Sequence, residues 1–375
     1  MIEPKDFYQS LNENGIEFFT GVPDSLLKYI CAYISDNTGS DNHIIAANEG
    51  NAIAIAMGYH MATQKIPMVY MQNSGLGNTI NPLLSLADKE VYSIPMVLMV
   101  GWRGKPGLSD EPQHIKQGRI HNRLLDAMEI PNFHLSSKSN FLSVIKRAKE
   151  VAEKNSAPSI ITVEKNTFNK YDLNVKEKNN FNMTREEAIE KIAKMISKKD
   201  IVISTTGKAS RELFEFRKKM SDTHERDFLT VGGMGHASQI ALGIALAKKK
   251  RIVYCIDGDG SFLMHAGSMG IIGSKKLTNF KHIIINNGSH DSVGGQATVA
   301  LEIDLDKISK GFNYTKTFKV DRKEDLNETF NSFKNCVGPC LLEIYVNKGS
   351  RKDLGRPTIS PKNNKKDFIS FLENK

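Results

Sequence analysis

The sequence has no apolar run near the roughly 20 residues that a membrane-spanning helix needs. Its opening residues, MIEPKDFYQSLNENGIEFF, lack an apolar signal core and pattern as an amphipathic helix, so a cytoplasmic location is expected. Cysteine is scarce: Cys31, Cys255, Cys336 and Cys340 are too few and too scattered for a disulfide framework. Cys336 and Cys340 are spaced C-x3-C, but no His or further Cys stands nearby to complete a zinc site, and all four are expected to be buried thiols. No GxxxxGK[ST] loop occurs either, STTGKAS included, which argues against a Walker-type nucleotide site.

What is present is the balance of a globular protein. The chain has 375 residues, 40% of them hydrophobic and 25% charged, enough for two domains with separate cores. The net charge is +9. Its lysines are dispersed, however, and clusters such as Lys248–Lys249–Lys250 fall where a helix should end and the dipole favours cations. Aromatics do not interleave with them as a base-stacking platform requires, so no nucleic-acid partner is expected. A positive field also suits a small polyanionic substrate.

Apolar runs ending in polar or glycine-rich residues alternate with helical patterns. This grammar predicts an α/β protein with parallel sheets flanked by helices. In the first half the runs are IEFFTGVP, NHIIAANEG, IPMVYMQNSG, IPMVLMVGWRG and PSIITVEK. KNTFNKYDLNVKEKNNFN is polar and poor in periodicity, which sets domains at 1–165 and 183–375 with a linker over 166–182. IVISTTG, FLTVGG, RIVYCIDGDG, KHIIINNGSH and CLLEIYVNKG then repeat the grammar without repeating the sequence. Ligands of such sheets bind beyond the carboxyl ends of the strands, where every conspicuous polar cluster here lies.

YCIDGDGSF and NNGSH are the most informative of these ends. Asp259 and Asn287 lie 28 positions apart (287 − 259), separated by a helical pattern over about 265–273 and a strand. They therefore close successive strands. A carboxylate, an amide oxygen and a loop carbonyl make a sparse oxygen site of the kind Mg2+ accepts. Gly258 and Gly260 would let backbone approach a phosphate. Asp and Gly are also ordinary turn residues, so GDG by itself is open to either reading. Asp257 is expected only to shape a neighbouring turn.

Together, GDG and the strand ending in NN resemble the metal–diphosphate motif of thiamine diphosphate enzymes. The resemblance implies that Asp259, Asn287 and the Ser289 carbonyl hold Mg2+, with Ser261 beside them. It implies a glutamate against the cofactor's aminopyrimidine, matched by Glu49 in AANEGNAIAIAMG; burial at a strand end would raise its pKa. An acid that merely starts a helix is the other reading of Glu49. In GGMGHAS, Met234 matches the wedge between the cofactor's rings, and the Gly232 carbonyl would accept from its amino group. A lone Met is also ordinary core filling. Thr206, Gly207 and Lys208, with Gly235 and His236, stand at strand-to-helix junctions whose N–H groups can bind a diphosphate.

The resemblance extends across nearly the whole chain. GVPDSLLK, QNSGLGNTINPLL, GWRGKPG, DEPQH, STTGKASRELFE, NNGSHDSVGGQ and GSRKDLGRP look like the phosphonopyruvate decarboxylases, a compact two-domain family without the third domain of pyruvate decarboxylase-type enzymes. It implies removal of CO2 from 3-phosphonopyruvate to give 2-phosphonoacetaldehyde, en route to 2-aminoethylphosphonate. The related sulfopyruvate decarboxylases are the alternative, and no motif separates sulfonate from phosphonate. Asp24, Asn73, Ser74, Arg103, Lys105, Ser292 and Gln296 are the expected substrate contacts. His114 is expected as a proton relay or substrate contact, or else as a surface histidine. Arg351 and Arg356 would bind phosphonate or pin the C-terminus. In thiamine enzymes two chains complete one site, so the resemblance implies a homo-oligomer, at least a dimer.

Overall fold

A computed structural model describes residues 1–174 and 180–373. The chain divides into two compact units, Met1–Val175 and Lys176–Lys375. The division falls inside the stretch expected as a linker, of which residues 175–179 lie outside the described residues. The start of that stretch belongs to the first unit: Phe168 is buried in its core, and Ile2 bridges to it in parallel.

The first unit holds six strands, β1 (Phe19–Gly21), β2 (His43–Ile45), β3 (Met68–Gln72), β4 (Val97–Gly101), β5 (Asn132–Leu135) and β6 (Ser159–Val163). They form one parallel sheet in the order β2-β1-β3-β4-β6-β5. The second holds β7 (Ile201–Ser204), β8 (Asp227–Leu229), β9 (Val253–Gly258), β10 (Phe280–Asn286), β11 (Lys316–Val320) and β12 (Cys340–Tyr345). These run parallel in the order β11-β12-β10-β9-β7-β8.

Near-continuous apolar runs make central strands because both faces of a parallel sheet are covered. Met68 and Tyr70 of β3 enter one core cluster, while Val69 and Met71 enter another. In β9, Tyr254 and Ile256 face one core, and Val253 and Cys255 face the other. Every strand therefore delivers its carboxyl end to one edge of its own sheet.

One expected boundary is corrected. The helix after β9 starts at Asp259 and runs to Met264, with a further helix over Ser268–Ser274, instead of starting near residue 265. An acidic first residue beside the N-terminal N–H groups explains the early start. Cys336 is also only half-buried, unlike the other three cysteines, and all four are free thiols.

Candidate active site

In the second unit, adjacent strands bring Asp259 and Asn287 to neighbouring loops. Thr298 joins the two loops: its hydroxyl donates to Asp259 Oδ2, and its N–H donates to the Gly288 carbonyl (3.0 Å). Asp259 is 4% exposed, and burial pushes its carboxyl up to about 6 against the opposing pull of Thr298 and the Gly260 N–H. Asn287 is buried too. Its Nδ2 donates to Asp291 (2.8 Å), and its Oδ1 accepts the Ser289 N–H (3.0 Å). Asp257 does not shape a turn. It lies inside β9 with Oδ2 3.6 Å from His282 Nε2, and the ligating atoms of Cys255, Asp257 and His282 fall within 4.8 Å of one another in the core.

Close packing explains the small residues here. A Cβ on Gly260 would lie 2.9 Å from the His290 ring and 3.4 Å from Met234 Cε. Gly235 has φ +89 and donates its N–H to Ser261 Oγ (3.0 Å), whose hydroxyl also meets Thr205 Oγ1 (2.8 Å). Gly207 precedes the helix Lys208–Lys219, and a Cβ there would meet Ser292 Oγ at 2.9 Å. Thr206 and Lys208 flank it half-buried, and burial lowers the Lys208 ammonium pKa. Met234 and Gly232 are half-buried, and Met234 belongs to neither core of its unit. His236 is exposed just before the helix Ala237–Ala247 and stacks on His265, with ring centroids 4.6 Å apart.

Gln296 is a buried polar side chain of the loop after Asn287. It is 2% exposed, yet neither its Oε1 nor its Nε2 has a hydrogen-bond partner. Leaving such a group unmet costs about 1–3 kcal/mol. The crowded glycines at Gly235 and Gly260 and the buried Asp259 fit a Mg2+–diphosphate group.

In the first unit, Glu49 opens the helix Glu49–Thr63, and Asn48 caps that helix by accepting the Asn51 N–H (3.0 Å). Glu49 is 6% exposed; Oε2 accepts from Asn78 Nδ2 (2.7 Å), and a Cβ on Gly75 would meet Oε1 at 2.5 Å. A tightly held carboxylate at a strand end is what a proton shuttle requires. Asp24 follows β1 and is fully buried. It accepts the Leu26 and Leu27 N–H groups (2.8 and 3.0 Å) and the Gln72 amide (2.7 Å). Burial nevertheless pushes its carboxyl up to about 6.

Several expected substrate contacts already have other partners. Arg103 forks onto Asp110, with Nε–Oδ2 at 2.8 Å, and reaches Ser25 Oγ (2.7 Å). Lys105 pairs with Glu164 (2.6 Å) over the Trp102 ring. Asn73 exchanges hydrogen bonds with the Arg103 backbone (2.9 and 3.2 Å), clamping the end of β3 to that of β4. Ser74 is exposed and donates to Gln72. Arg351 meets Glu186, Glu215 and Asp353, so it pins the C-terminal segment.

His114 sits in the first turn of the helix Pro112–Ala127. Burial, aided by Arg103, lowers its pKa to about 4, and its Nδ1 has no hydrogen-bond partner. The imidazole is therefore neutral near pH 7.

Thr298, Thr205, His290 and Asp291 were not singled out from the sequence. A hydroxyl or carboxylate in a glycine-rich loop has no local signature; the fold-back of residues 288–298 reveals the neighbours of Thr298 and Asp291, and the pairing of β7 with β9 reveals that of Thr205.

Residues 5–130 match the thiamine pyrophosphate enzyme N-terminal TPP binding domain, and residues 205–344 match the C-terminal TPP binding domain. A phosphonopyruvate decarboxylase of Streptomyces viridochromogenes is 32% identical over 99% of this chain and 95% of its own length. One from Streptomyces hygroscopicus is 30% identical over 99% of this chain and 94% of its own. A sulfopyruvate decarboxylase of Methanosarcina acetivorans is 26% identical over 97% of this chain and 96% of its own. The chain belongs to the phosphonopyruvate decarboxylase family of thiamine pyrophosphate enzymes.

Proposed function

We propose that the protein is a carbon–carbon lyase that decarboxylates 3-phosphonopyruvate to 2-phosphonoacetaldehyde and CO2 with thiamine diphosphate and Mg2+. The observation that carries this is the buried Asp259 beside the Asn287 loop, in a chain both of whose halves match thiamine pyrophosphate domains. Asp259, the Asn287 amide oxygen and the Ser289 carbonyl would hold the metal. Thr206, Gly207, Gly235, His236, Gly258, Gly260 and Ser261 would line the diphosphate, with Gly232 and Met234 against the rest of the cofactor.

When bound, thiamine diphosphate supplies the electron sink for the pair left behind by CO2. Glu49 would face the cofactor's pyrimidine ring and hold the proton exchanged there, and Asn78 holds its carboxylate in place. Ser292 and Gln296, the latter with both amide ends unmet, would contact the substrate, and the neutral His114 would serve as a proton relay or substrate contact. Asp24, Asn73 and Ser74 shape the floor. Arg103 and Lys105 would meet an anion only by leaving their ion pairs. The reading takes residues 1–165 as pyrimidine-binding and 183–375 as diphosphate-binding, and the enzyme as a cytoplasmic homo-oligomer of at least two chains in phosphonate biosynthesis.

Release of CO2 from 3-phosphonopyruvate and sulfopyruvate at matched concentrations tests the reading. Faster turnover of phosphonopyruvate is expected; a strong preference for sulfopyruvate overturns it.

A further inference from the structure

We propose that Asp291 is the positioning residue that orients Asn287, so that its amide oxygen and not its nitrogen faces the metal. The inference rests on the proposed Mg2+–thiamine diphosphate site and adds to it a residue outside the metal-ligand motif.

Asp291 Oδ2 meets three donors: Asn287 Nδ2 (2.8 Å), the Gly349 N–H (2.8 Å) and Arg185 (3.0 Å). Its Oδ1 accepts from Ser289 Oγ (3.3 Å). An ionised carboxylate only accepts, so it can face only the NH2 end of a neighbouring carboxamide. The two flips of an Asn side chain have nearly the same shape, and packing discriminates poorly between them. Asp291 takes the Nδ2 end, and Asn287 Oδ1, which also accepts the Ser289 N–H (3.0 Å), is turned to the opposite side.

The charge of Asp291 is in turn fixed from behind. Arg185 forks onto Glu212 (2.8 and 2.9 Å), and the side chains of Asp291, Arg185 and Glu212 are all nearly buried. Such a relay holds a carboxylate stationary, because loss of either neighbour strands a buried charge. Outer partners of this kind commonly govern metal affinity.

The test measures Mg2+ affinity calorimetrically at saturating thiamine diphosphate, independently of turnover. Asp291→Leu leaves Asn287 Nδ2 without its acceptor and should weaken Mg2+ binding on the order of 10–100-fold. Asn287→Asp combined with Asp291→Asn exchanges amide and carboxylate, keeps a donor–acceptor pair of fixed direction and should bind Mg2+ within a few-fold of the unmodified protein. Unchanged affinity in Asp291→Leu overturns the proposal, as does failure of the exchanged pair to bind. Should Asp291→Leu not fold, Asp291→Glu keeps the charge for Arg185 while displacing it from Asn287, and is read the same way. If the unmodified protein binds no Mg2+–thiamine diphosphate, the functional reading fails instead.

Discussion

The two units share one strand order and put different chemistry on it. Counted within each unit, both sheets run 2-1-3-4-6-5. In that order the first and third strands are neighbours while their chains depart in opposite directions, which opens a crevice between their ends. In the first unit the crevice is stitched by Asp24 and Gln72 at 2.7 Å; in the second, by Thr205 and Ser261 at 2.8 Å. The position is the same, but one bond ionises and the other does not. The helix after the second strand differs likewise: one starts on Glu49, the other on the glycine-rich turn before Ala237. Topology thus decides where polar groups gather, and residue type decides the role proposed for each edge: proton exchange at Glu49, anion and metal binding at Asp259.

The sharpest way to break this division of labour is Glu49→Gln. The change keeps an oxygen for Asn78 but removes the exchangeable proton. Turnover should fall on the order of 10^3-fold or more, within the range of general acid–base effects. Calorimetric binding of Mg2+–thiamine diphosphate should change only a few-fold. Surviving turnover would mean that Glu49 supplies no essential proton.

The two stitching hydrogen bonds should also differ in how they respond to pH. Asp24 has a folded pKa of about 6 against an ordinary value of 3.8, raised by burial. Between those values the folded chain keeps a proton that the unfolded chain has lost. Its contribution to stability is therefore best below pH 4, declines as pH rises to about 6, and stays low above that, by up to about 3 kcal/mol. In urea denaturation, Asp24→Asn should gain on the unmodified protein as pH goes from 4.5 to 7.5. Thr205→Val, at the matching place in the second unit, should cost about 1 kcal/mol equally at both pH values. Identical pH slopes for the unmodified protein and Asp24→Asn would remove the proposed asymmetry.

The same comparison shows what was legible in the sequence. The central strands were, because two-sided burial leaves long apolar runs. β5 and β11 were not: each is the fifth strand of its unit and lies at a sheet edge, with the mixed sequences NFHL and KTFKV and mixed burial. Asp259 and Asn287 could be paired because one strand–helix–strand unit fixes their relation. Arg103 and Lys105 were expected to be available cations, since a sequence does not display that Asp110 and Glu164 neutralise them. Asp291 and Thr298 were hidden for a related reason: their partners are set by how one loop folds back, and no period records that.

The mildest test uses two matched glycines. Gly58 lies inside the helix Glu49–Thr63 and Gly243 inside Ala237–Ala247, the helices that follow the second strand of each unit. Both are exposed, and a Cβ at either would meet nothing within 4 Å of it. Glycine within a helix costs roughly 0.5–1 kcal/mol relative to alanine. Gly58→Ala and Gly243→Ala should each stabilise the protein by about that amount in urea denaturation. The added methyl is also a steric probe of an oligomer. A loss of stability that deepens with protein concentration, in either variant, would mean that a second copy covers that helix, and only equal gains would leave the two faces alike.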